Sequence, residues 1–520
     1  MNLVLYGFPG SGKTTVGKTL AEWLGREFVD TDALIEARNG RLIRDLFAKD
    51  GEAAFRRMES DLCREIAARS GLVIACGGGM LLDPDNRAAL EAGGRVVVLK
   101  CDADEILRRL RNDSVERPLV AGDDPRARLN ALLDGRQAHY DSFALTVDTT
   151  GKAPEAVAEE AIGLTGEAVT LRIDGRLGHE YLLGRGLIGR LDELLLARGL
   201  EGRSVVVTDS HVAALLKPES PIIIPAGEQY KTLDSARTLY DAFLDRGLDR
   251  RSVVIALGGG VIGDLAGFTA ATFMRGITWV AVPTTLLAMV DASIGSKVAV
   301  DLPRGKNLVG AFHPPKFVLA DLDCLDTLPE AEFRSGMSEV VKAGVIGDAQ
   351  LFAELETANC PLPIAGHQLP MIKRAVAVKA RVVGVDPFEE GERAVLNLGH
   401  TVAHGLEAAS NYSLRHGEAV AIGMVAEARM AEAIGLCSTE LPERIEAVLK
   451  RIGLPVRYHG LDPRTVREAM NADKKKAGGR LKFSLPEAIG KVRIGCEVEE
   501  AVIMEALEKA RITFHVSGFT

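Results

Sequence analysis

The sequence predicts an α/β protein that consists of a parallel-sheet unit, a second α/β unit and an α-helical unit. Short apolar runs alternate with helix-period segments over residues 1–150 and again over about 168–325. Such alternation is typical of parallel sheets that are covered by helices. From about residue 330 the pattern becomes helical, with few strand signals until the end. A chain of 520 residues is also too long for one compact domain.

We place the first domain at residues 1–160, a linker at 161–168, the second α/β part at 169–328 and the helical part at 329–520. The linker lies in the segment DTTGKAPEAVAEEAIGLTGEAV, which holds one amphipathic helix between turns that contain glycine. Compositional shifts of this kind mark the boundaries between units that fold around separate cores.

Composition narrows the class of partner and the expected compartment. The net charge is −9, so the chain lacks the basic surface that binds a phosphate backbone, and we expect no nucleic-acid partner. The most apolar run, residues 279–290, is interrupted by Pro283 and is too short to cross a bilayer, so no membrane partner is expected. Seven scattered cysteines without a C-x-x-C pair favour a reducing compartment, and we expect a cytoplasmic protein.

The first strand, LVLY at residues 3–6, leads directly into a glycine-rich turn and then a helix. The turn, GFPGSGKT at residues 7–14, matches the pattern G-x-x-x-x-G-K-S/T, in which backbone N–H groups face the phosphates of a nucleotide. The lysine of this pattern reaches the terminal phosphates, and its hydroxyl residue ligates Mg²⁺. We therefore predict a P-loop that binds ATP and Mg²⁺ through Gly10, Ser11, Gly12, Lys13, Thr14 and Thr15.

The residues that follow suggest a small anionic acceptor for the phosphoryl group. Asp30 and Asp32 end the next strand two positions apart, which predicts that one carboxylate holds Mg²⁺ while the other accepts a proton. Arg56, in FRRME, is a candidate for bidentate binding of a substrate carboxylate. The turn Gly77–Gly79 lets the backbone approach a small ligand, and Arg117, in the charged stretch before DPRAR, is a candidate lid residue.

Taken together, residues 1–160 resemble shikimate kinase. The resemblance implies that Asp32 binds and deprotonates a shikimate hydroxyl, that Asp30 helps to hold Mg²⁺, and that Arg56 holds the shikimate carboxylate. It further implies that Arg117 reaches the ATP phosphates and that Arg136 closes on the carboxylate. Substrate contacts are also implied for Gly77, Gly78 and Gly79. Gluconate and adenylate kinases share the P-loop but lack the set F-R-x-x-E, G-G-G and R-P-L.

The second α/β unit shows a weaker nucleotide signal. The strand VVIALG runs into Gly258-x-Gly260-x-x-Gly263, a dinucleotide-binding pattern. No acidic residue follows about 20 positions later to bind the ribose hydroxyls, and Asp264 comes too early for that role. The pattern alone leaves dinucleotide binding open.

The helical part contains a more specific constellation of metal-ligand types. His400 and His404 lie one helical turn apart in HTVAH, and His416 follows in RHGEA. The residue after the first histidine is threonine, so the metalloprotease pattern, which needs glutamate there, is excluded. Glu339 is the expected acidic partner, and Lys342 shares its helix face.

With PTTLLAMVDASIGSK and GKNLVGAFHPP, these residues resemble 3-dehydroquinate synthase over about residues 170–515. The resemblance implies a Zn²⁺ or Co²⁺ site at Glu339, His400 and His416. Besides Glu339, catalytic contacts with the substrate are implied for Lys342, Arg393, Asn397 and His404. The resemblance assigns NAD binding to Asp209, Glu228, Lys231, Gly259, Gly260, Val261, Asp264, Thr284 and Thr285. It assigns Asp291, Lys297 and Lys306 to the place where the cofactor adjoins the substrate. Further substrate contacts are assigned to Asn307, Lys379 and Lys474.

The resemblance also implies a reaction. Bound NAD⁺ oxidises one alcohol of a heptulosonate phosphate, the resulting ketone acidifies a neighbouring C–H, phosphate leaves, and the hydride returns before the ring closes to dehydroquinate. A substrate with a carboxylate and a phosphate accounts for the many Lys and Arg residues in the assigned set. Metal-dependent polyol dehydrogenases and other sugar-phosphate cyclases share this fold, and the former should lack the phosphate-binding set.

We therefore predict a bifunctional enzyme of the shikimate pathway, with a shikimate kinase part followed by a 3-dehydroquinate synthase part. Its partners are its small-molecule substrates, shikimate and heptulosonate phosphate, and a homodimer through the synthase part is left open. Two alternatives remain at this point. Either only one part is active, or the P-loop unit is a nucleotide sensor that regulates the synthase.

Overall fold

The computed structural model describes residues 1–111, 124–357, 368–472 and 481–512. The described chain divides into two compact units, Met1–Val169 and a larger unit that begins at Thr170. Residues 161–168, predicted as a linker, contain the end of one helix and the start of a strand. In the part of the chain that is described, no helix is both long enough and apolar enough to cross a membrane.

The first unit contains a five-stranded sheet in the order β2-β3-β1-β4-β5, with parallel pairing throughout. Its strands are β1 (Asn2–Gly7), β2 (Glu27–Asp30), β3 (Leu72–Ala75), β4 (Gly94–Lys100) and β5 (Leu145–Asp148). Its helices are α1 (Lys13–Leu24), α2 (Thr31–Asn39), α3 (Ile43–Asp50), α4 (Glu52–Ala67), α5 (Pro84–Gly93), α6 (Ala103–Arg111), α7 (Pro125–Asp141) and α8 (Pro154–Thr165).

The order of these strands brings the ligand-binding turns together. β1 is fully buried and lies between β3 and β4, which explains its continuous apolar sequence. Because parallel strands end at the same edge of a sheet, the turns after β1, β2 and β3 lie at one edge. Asp30 is the last residue of β2, and the P-loop and the turn Gly77–Gly79 come at the ends of β1 and β3.

The second unit contains a seven-stranded sheet in the order β6-β7-β14-β11-β10-β8-β9. Its strands are β6 (Ala168–Ile173), β7 (His179–Gly184), β8 (Ser204–Asp209), β9 (Ile222–Ile224), β10 (Val253–Gly258), β11 (Thr278–Pro283) and β14 (Phe317–Asp321). An antiparallel hairpin, β12 (Lys297–Leu302) and β13 (Gly305–Phe312), lies between β11 and β14 in the sequence. The helices of this region are α9 (Leu191–Leu196), α10 (Ser210–Leu216), α11 (Leu233–Asp245) and α12 (Gly260–Thr272).

From Glu330 onward the chain is mainly helical. The helices are α13 (Glu330–Gly347), α14 (Ala349–Thr357), α15 (Gln368–Val385), α16 (His400–Ala409), α17 (His416–Ala433), α18 (Glu440–Ile452), α19 (Pro463–Ala472) and α20 (Glu500–Lys509). An antiparallel pair, β15 (Lys482–Ala488) and β16 (Lys491–Glu497), comes near the end. α17 is buried along most of its length and packs against both α13 and α16.

The predicted fold class is confirmed, because two sheets with parallel pairing precede a helical part. Two local features differ from the expectation. β2 ends at Asp30, so Asp32 lies in the first turn of α2 and not on the strand. The segment AMVDASIGSKVAVDLPRGKNLVGAF forms a π-helical turn, Ala288–Ala292, and then the hairpin β12–β13, neither of which the apolar pattern predicted.

Candidate active sites

The P-loop has the backbone conformation that phosphate binding requires. Gly10 and Gly12 have φ values of 86° and 98°, a region that favours glycine because it has no Cβ. α1 begins at Lys13, directly after the loop, and its first turn contains Thr14 and Thr15. The Lys13 ammonium donates to the carbonyl oxygens of Gly7 (2.9 Å) and Phe8 (3.1 Å), so its charge lies over the loop.

A candidate Mg²⁺ position lies beside the loop. The Thr14 hydroxyl donates to one carboxylate oxygen of Asp30 at 2.7 Å, so the two predicted ligands are adjacent. The other carboxylate oxygen of Asp30 accepts from the backbone N–H of Ala33 at 3.2 Å and caps α2. This arrangement of a P-loop hydroxyl and a carboxylate suits Mg²⁺, which prefers oxygen ligands.

Asp32 reaches the site from α2. The expectation that Asp30 and Asp32 point the same way from one strand is wrong, because the helix begins between them. The turn of α2 instead directs Asp32 toward Gly77, where a Cβ would overlap its carboxylate oxygen. Gly77 is also held by its N–H, which donates to the Thr31 hydroxyl at 2.8 Å.

The predicted carboxylate-binding arginines lie against the same glycine turn. Arg56 pairs with Glu59 at 2.5 Å and lies so close to Gly79 that a side chain there would overlap the guanidinium. Arg136 donates to the carbonyl oxygen of Gly78 at 3.0 Å. The pKa of Glu59, which is 1% exposed, is raised by burial, and the ion pair with Arg56 opposes that shift.

Two further arginines are relevant to the first site. Arg117 lies outside the described residues, so its predicted role stays a prediction. Arg109, which the sequence analysis missed, donates to the Thr149 hydroxyl at 3.2 Å and to the Thr149 carbonyl oxygen at 2.8 Å. Because the Thr149 hydroxyl donates to the carbonyl oxygen of Ser11 at 3.1 Å, Arg109 lies beside the P-loop. It comes from the basic helix α6, which contains no motif that indicates a ligand.

The second unit brings Glu339, His400 and His416 together, with one ligand atom from each within 4.8 Å of the others. Glu339 Oε1 lies 3.7 Å from His400 Nε2 and 3.8 Å from His416 Nε2. In the described part of the chain this buried oxygen has no hydrogen-bond partner. Burial holds the pKa of His400 well below its ordinary value, as does the charge of Lys342, so its imidazole is neutral. Two imidazole nitrogens and a carboxylate oxygen suit Zn²⁺ or Co²⁺.

Neighbouring groups orient these ligands. His400 Nδ1 lies 3.2 Å from the carbonyl oxygen of Leu398, which leaves its Nε2 directed toward Glu339. Lys342 forms an ion pair with Glu339 through the second carboxylate oxygen. His404 lies next to His400, with ring centres 5.7 Å apart.

Two buried glutamates that the sequence analysis missed support the same helices. Glu407 Oε1 lies 3.4 Å from His416 Nδ1. Glu427 accepts from the backbone N–H groups of Gly399 (2.6 Å) and Val402 (3.3 Å) and so caps the start of α16. The one signal for Glu427 in the sequence is an acidic residue within the apolar run AVAIGMVAEA.

Charged groups assigned to the substrate lie near the metal ligands. Lys379 pairs with Asp291 at 2.5 Å and also donates to its backbone carbonyl oxygen at 2.8 Å. Burial raises the pKa of Asp291, but the charges of Lys379 and Lys342 outweigh it and hold that pKa below its ordinary range. Arg393 donates to the carbonyl oxygens of Pro387 (2.6 Å) and Gly295 (3.1 Å), and burial lowers its pKa.

The hairpin β12–β13 contributes Lys297, Lys306 and Asn307. Lys297 forms an ion pair with Glu389, whose other oxygen lies 3.5 Å from the Asn397 amide nitrogen. Lys306 lies 3.4 Å from Glu228, a residue assigned to NAD. Lys474 lies outside the described residues.

Several of the residues assigned to NAD lie at the carboxyl ends of β8, β10 and β11. Gly259 precedes α12, whose first turn contains Gly260 and Val261, and a cleft borders this turn. Thr284 and Thr285 directly follow β11, and the Thr284 N–H donates to the carbonyl oxygen of Gly258 at 3.0 Å. Asp209 ends β8 and caps α10 through the N–H groups of His211 and Val212.

A buried ion pair lies next to this turn. The Lys231 ammonium lies 2.5 Å from Asp264 and donates to the Asn307 side-chain oxygen at 2.6 Å. Burial raises the pKa of Asp264 to about 6, although Lys231 opposes the shift. The structure therefore shows Asp264 in an ion pair with Lys231. The common dinucleotide pattern instead has its acidic residue about 20 positions after the glycines.

Known proteins resemble both parts of the chain. Residues 221–335 match the family model for the N-terminal part of 3-dehydroquinate synthase, and residues 336–476 match the model for its C-terminal part. The 3-dehydroquinate synthase of Xanthomonas campestris pv. campestris (strain 8004) is 43% identical over 364 residues, which cover 65% of this chain and 97% of the relative. The chain belongs to the 3-dehydroquinate synthase family. Residues 9–164 match the family model for shikimate kinase, so this synthase is fused to a shikimate kinase domain. Both parts are enzymes, and both belong to the shikimate pathway.

Solved structures of two other synthases resemble the synthase part. A 2-deoxy-scyllo-inosose synthase, complexed with carbaglucose-6-phosphate, NAD⁺ and Co²⁺, is 26% identical with a TM-score of 0.58 and covers 66% of this chain and 100% of its own. ValA, the 2-epi-5-epi-valiolone synthase from Streptomyces hygroscopicus subsp. jinggangensis 5008, has NAD⁺ and Zn²⁺ bound. It is 29% identical with a TM-score of 0.60, and the match covers 64% of this chain and 96% of ValA. Both identities are well below the 43% found for the 3-dehydroquinate synthase.

Proposed function

We propose that the first unit transfers a phosphoryl group from ATP to shikimate, giving shikimate 3-phosphate. We propose that the second unit converts 3-deoxy-D-arabino-heptulosonate 7-phosphate to 3-dehydroquinate and phosphate, with NAD⁺ and either Zn²⁺ or Co²⁺. The observation that carries the proposal for the second unit is the convergence of Glu339, His400 and His416 near the pair Asp291–Lys379. A metal site next to anion-binding cations suits a phosphorylated polyol and not a neutral one.

In the kinase part, bound ATP with Mg²⁺ supplies the phosphoryl group. The P-loop N–H groups and Lys13 would hold the phosphates, and Thr14 and Asp30 would hold the metal ion. Asp32 then accepts the proton of the attacking hydroxyl, since its carboxylate faces the turn at Gly77. Arg56 and Arg136 hold the shikimate carboxylate.

In the synthase part, bound NAD⁺ supplies a reversible hydride acceptor and the bound divalent metal supplies a Lewis acid. Glu339 Oε1 and the Nε2 atoms of His400 and His416 would hold the metal, while Lys342 neutralises the second Glu339 oxygen. We assign to His404, one turn along α16 from His400, the movement of a proton at the reacting carbons.

The basic residues around the metal position orient the substrate. Lys379 and Arg393 lie near Asp291. Lys297, Lys306 and Asn307 lie on the hairpin β12–β13. We assign them to the substrate carboxylate, hydroxyls and phosphate, because each can donate to an anionic oxygen. Holding the phosphate in this way favours its departure by β-elimination once the neighbouring C–H has been acidified.

The experiment uses the full-length protein with heptulosonate phosphate and NAD⁺, and follows phosphate, dehydroquinate and NADH. We expect product without accumulation of NADH, because the hydride returns within each cycle. Dialysis against a chelator, followed by its removal, should abolish dehydroquinate formation, and added Zn²⁺ or Co²⁺ should restore it. The same dialysed sample, given Mg²⁺ and ATP, should still phosphorylate shikimate at the original rate. NADH that accumulates in proportion to product would instead indicate a polyol dehydrogenase.

A further inference from the structure

Glu407 lies at the centre of a group of basic side chains that come from three different elements. It is on α16 and only 6% exposed. His416 approaches it from the start of α17, Lys306 from β13, and His404 precedes it by three residues on α16. Burying a carboxylate costs free energy unless opposite charges or hydrogen-bond donors surround it. This arrangement therefore suggests that Glu407 orients the basic groups around it.

The contact with His416 determines which imidazole nitrogen faces the metal position. Glu407 Oε1 lies 3.4 Å from Nδ1, while Nε2 on the opposite side of the ring lies 3.8 Å from Glu339 Oε1. A proton on Nδ1 that is directed at a carboxylate leaves the Nε2 lone pair available for a metal, and the carboxylate also makes the imidazole a stronger ligand. His400 obtains the same orientation from the carbonyl oxygen of Leu398.

The same carboxylate oxygen also contacts the hairpin. The Lys306 ammonium lies 3.9 Å from Glu407 Oε1 and 4.5 Å from the centre of the Tyr412 ring. Tyr412 lies in the short connection between α16 and α17, and its N–H donates to the Glu407 carbonyl oxygen at 2.7 Å. Glu407 therefore touches both a metal ligand and a residue that we assign to the substrate.

We propose that Glu407 is a positioning residue of the synthase site. It fixes His416 with Nε2 toward the metal position and at the same time pairs with Lys306, which we assign to the substrate. This proposal rests on the proposed function of the site, because it needs a metal at Glu339, His400 and His416. It adds that metal affinity depends on a fourth residue, which is not itself a ligand.

The test measures Zn²⁺ affinity of metal-free full-length protein by competition with a chromophoric chelator. Glu407→Ala should weaken Zn²⁺ binding by about 10–100-fold, the usual effect of losing a group that orients a ligand. Glu407→Gln keeps an oxygen that can accept from Nδ1–H, so we expect a smaller loss of at least about threefold. The visible spectrum of the Co²⁺-loaded protein should also change in Glu407→Ala, because the His416 ring is no longer fixed.

The matched control is Glu432→Ala, which removes a half-buried glutamate that pairs with Arg429 on α17. It should leave both the Zn²⁺ affinity and the Co²⁺ spectrum unchanged. A Glu407→Ala protein that binds Zn²⁺ within about twofold of wild type would overturn the proposal. Should Glu407→Ala not fold, an unchanged affinity in Glu407→Gln would overturn it equally.

A further variant separates this proposal from the proposed function. His400→Ala removes a ligand and should abolish tight Zn²⁺ binding. Tight binding that survives in His400→Ala would contradict the metal site itself. If His400→Ala loses Zn²⁺ but Glu407→Ala does not, the metal site stands and only the role of Glu407 is wrong.

Discussion

Both candidate sites contain buried charged side chains, and each of these lies beside a side chain of opposite charge. Glu59 has Arg56, Glu339 has Lys342, and Lys231, which is 4% exposed, has Asp264. Removing one member of a buried pair leaves an uncompensated charge, which typically costs about 3–5 kcal/mol. Substitutions at such pairs therefore change folding as well as catalysis, so tests of catalysis are better made at Asp32, which faces a glycine turn.

The first prediction concerns Asp32→Asn in the kinase domain. The substitution keeps the shape of the side chain but removes the carboxylate that accepts the shikimate proton. We expect the turnover of shikimate phosphorylation to fall by about 10²–10⁴-fold. The affinity for ATP should change little, because the P-loop is untouched, and nucleotide titration checks this.

The control for this prediction is Asp45→Asn. Asp45 lies in the first turn of α3, as Asp32 lies in the first turn of α2, so both substitutions remove the same favourable interaction with a helix N-terminus. Asp45→Asn should retain wild-type turnover. Near wild-type phosphorylation of shikimate by Asp32→Asn would contradict its role as the base.

Helix packing is what assembles the metal ligands, because Glu339, His400 and His416 lie on α13, α16 and α17. α17 approaches its two neighbours at glycines. A Cβ on Gly417 would overlap the Ser335 carbonyl oxygen of α13, and a Cβ on Gly423 would overlap the Gly399 carbonyl oxygen at the start of α16. Small residues at these points allow close approach of helix backbones, which do not yield as a side chain would.

The second prediction is that Gly423→Ala separates α16 from α17. The added methyl group meets backbone, so the helix must shift, at a cost of roughly 1–3 kcal/mol or more. We expect a lower melting temperature and weaker Zn²⁺ binding, because the shift displaces His400 relative to His416. Differential scanning fluorimetry and the chelator competition measure these two effects.

Gly189→Ala is the control, since a Cβ at Gly189 has no heavy atom within 4 Å. It should change neither the melting temperature nor the Zn²⁺ affinity. Equal behaviour of Gly423→Ala and Gly189→Ala would show that the close approach of α16 and α17 does not set the metal site.

At the scale of the whole molecule, each unit has its own sheet and its own set of candidate site residues. The proposed product of the synthase is not the substrate of the kinase, because a dehydration and a reduction must come between dehydroquinate and shikimate. Direct transfer between the two sites would therefore have nothing to carry. Co-expression of two enzymes on one chain is the simplest account of the fusion.

The third prediction is that the two units work when separated after Glu167. Glu167 pairs with Arg26 of the first unit at 2.6 Å, and Arg95 donates to the Thr165 carbonyl oxygen at 2.5 Å, so residues up to 167 belong with that unit. The fragments 1–167 and 168–520 should both be soluble and should keep the rates of the intact chain.

Kinase and synthase turnover are measured for each fragment, for their mixture and for the full-length protein. All four samples should agree within a small factor for the activity that they contain. A loss of more than about tenfold in a separate fragment, restored by mixing, would contradict independence, since it requires an interface of about 1,000 Å² or more.

The sequence by itself determined what depends on short stretches of chain. The P-loop and the strand before it, the alternation of strands with helices, and the histidine pair of HTVAH all follow from local pattern, and the structure agrees with them. The reason is physical. Backbone periodicity and the positive φ values of Gly10 and Gly12 depend on residues that are neighbours in the chain.

Only the tertiary structure decided which partners surround each functional group. Arg109 reaches the P-loop from α6, Glu427 caps α16 from α17, and Asp32 reaches the glycine turn from a helix and not from the predicted strand. Glu407 meets Lys306 although 101 positions separate them in the sequence. A buried charge is stabilised by whatever the packing of distant elements brings within about 4 Å, and a local pattern does not contain that information.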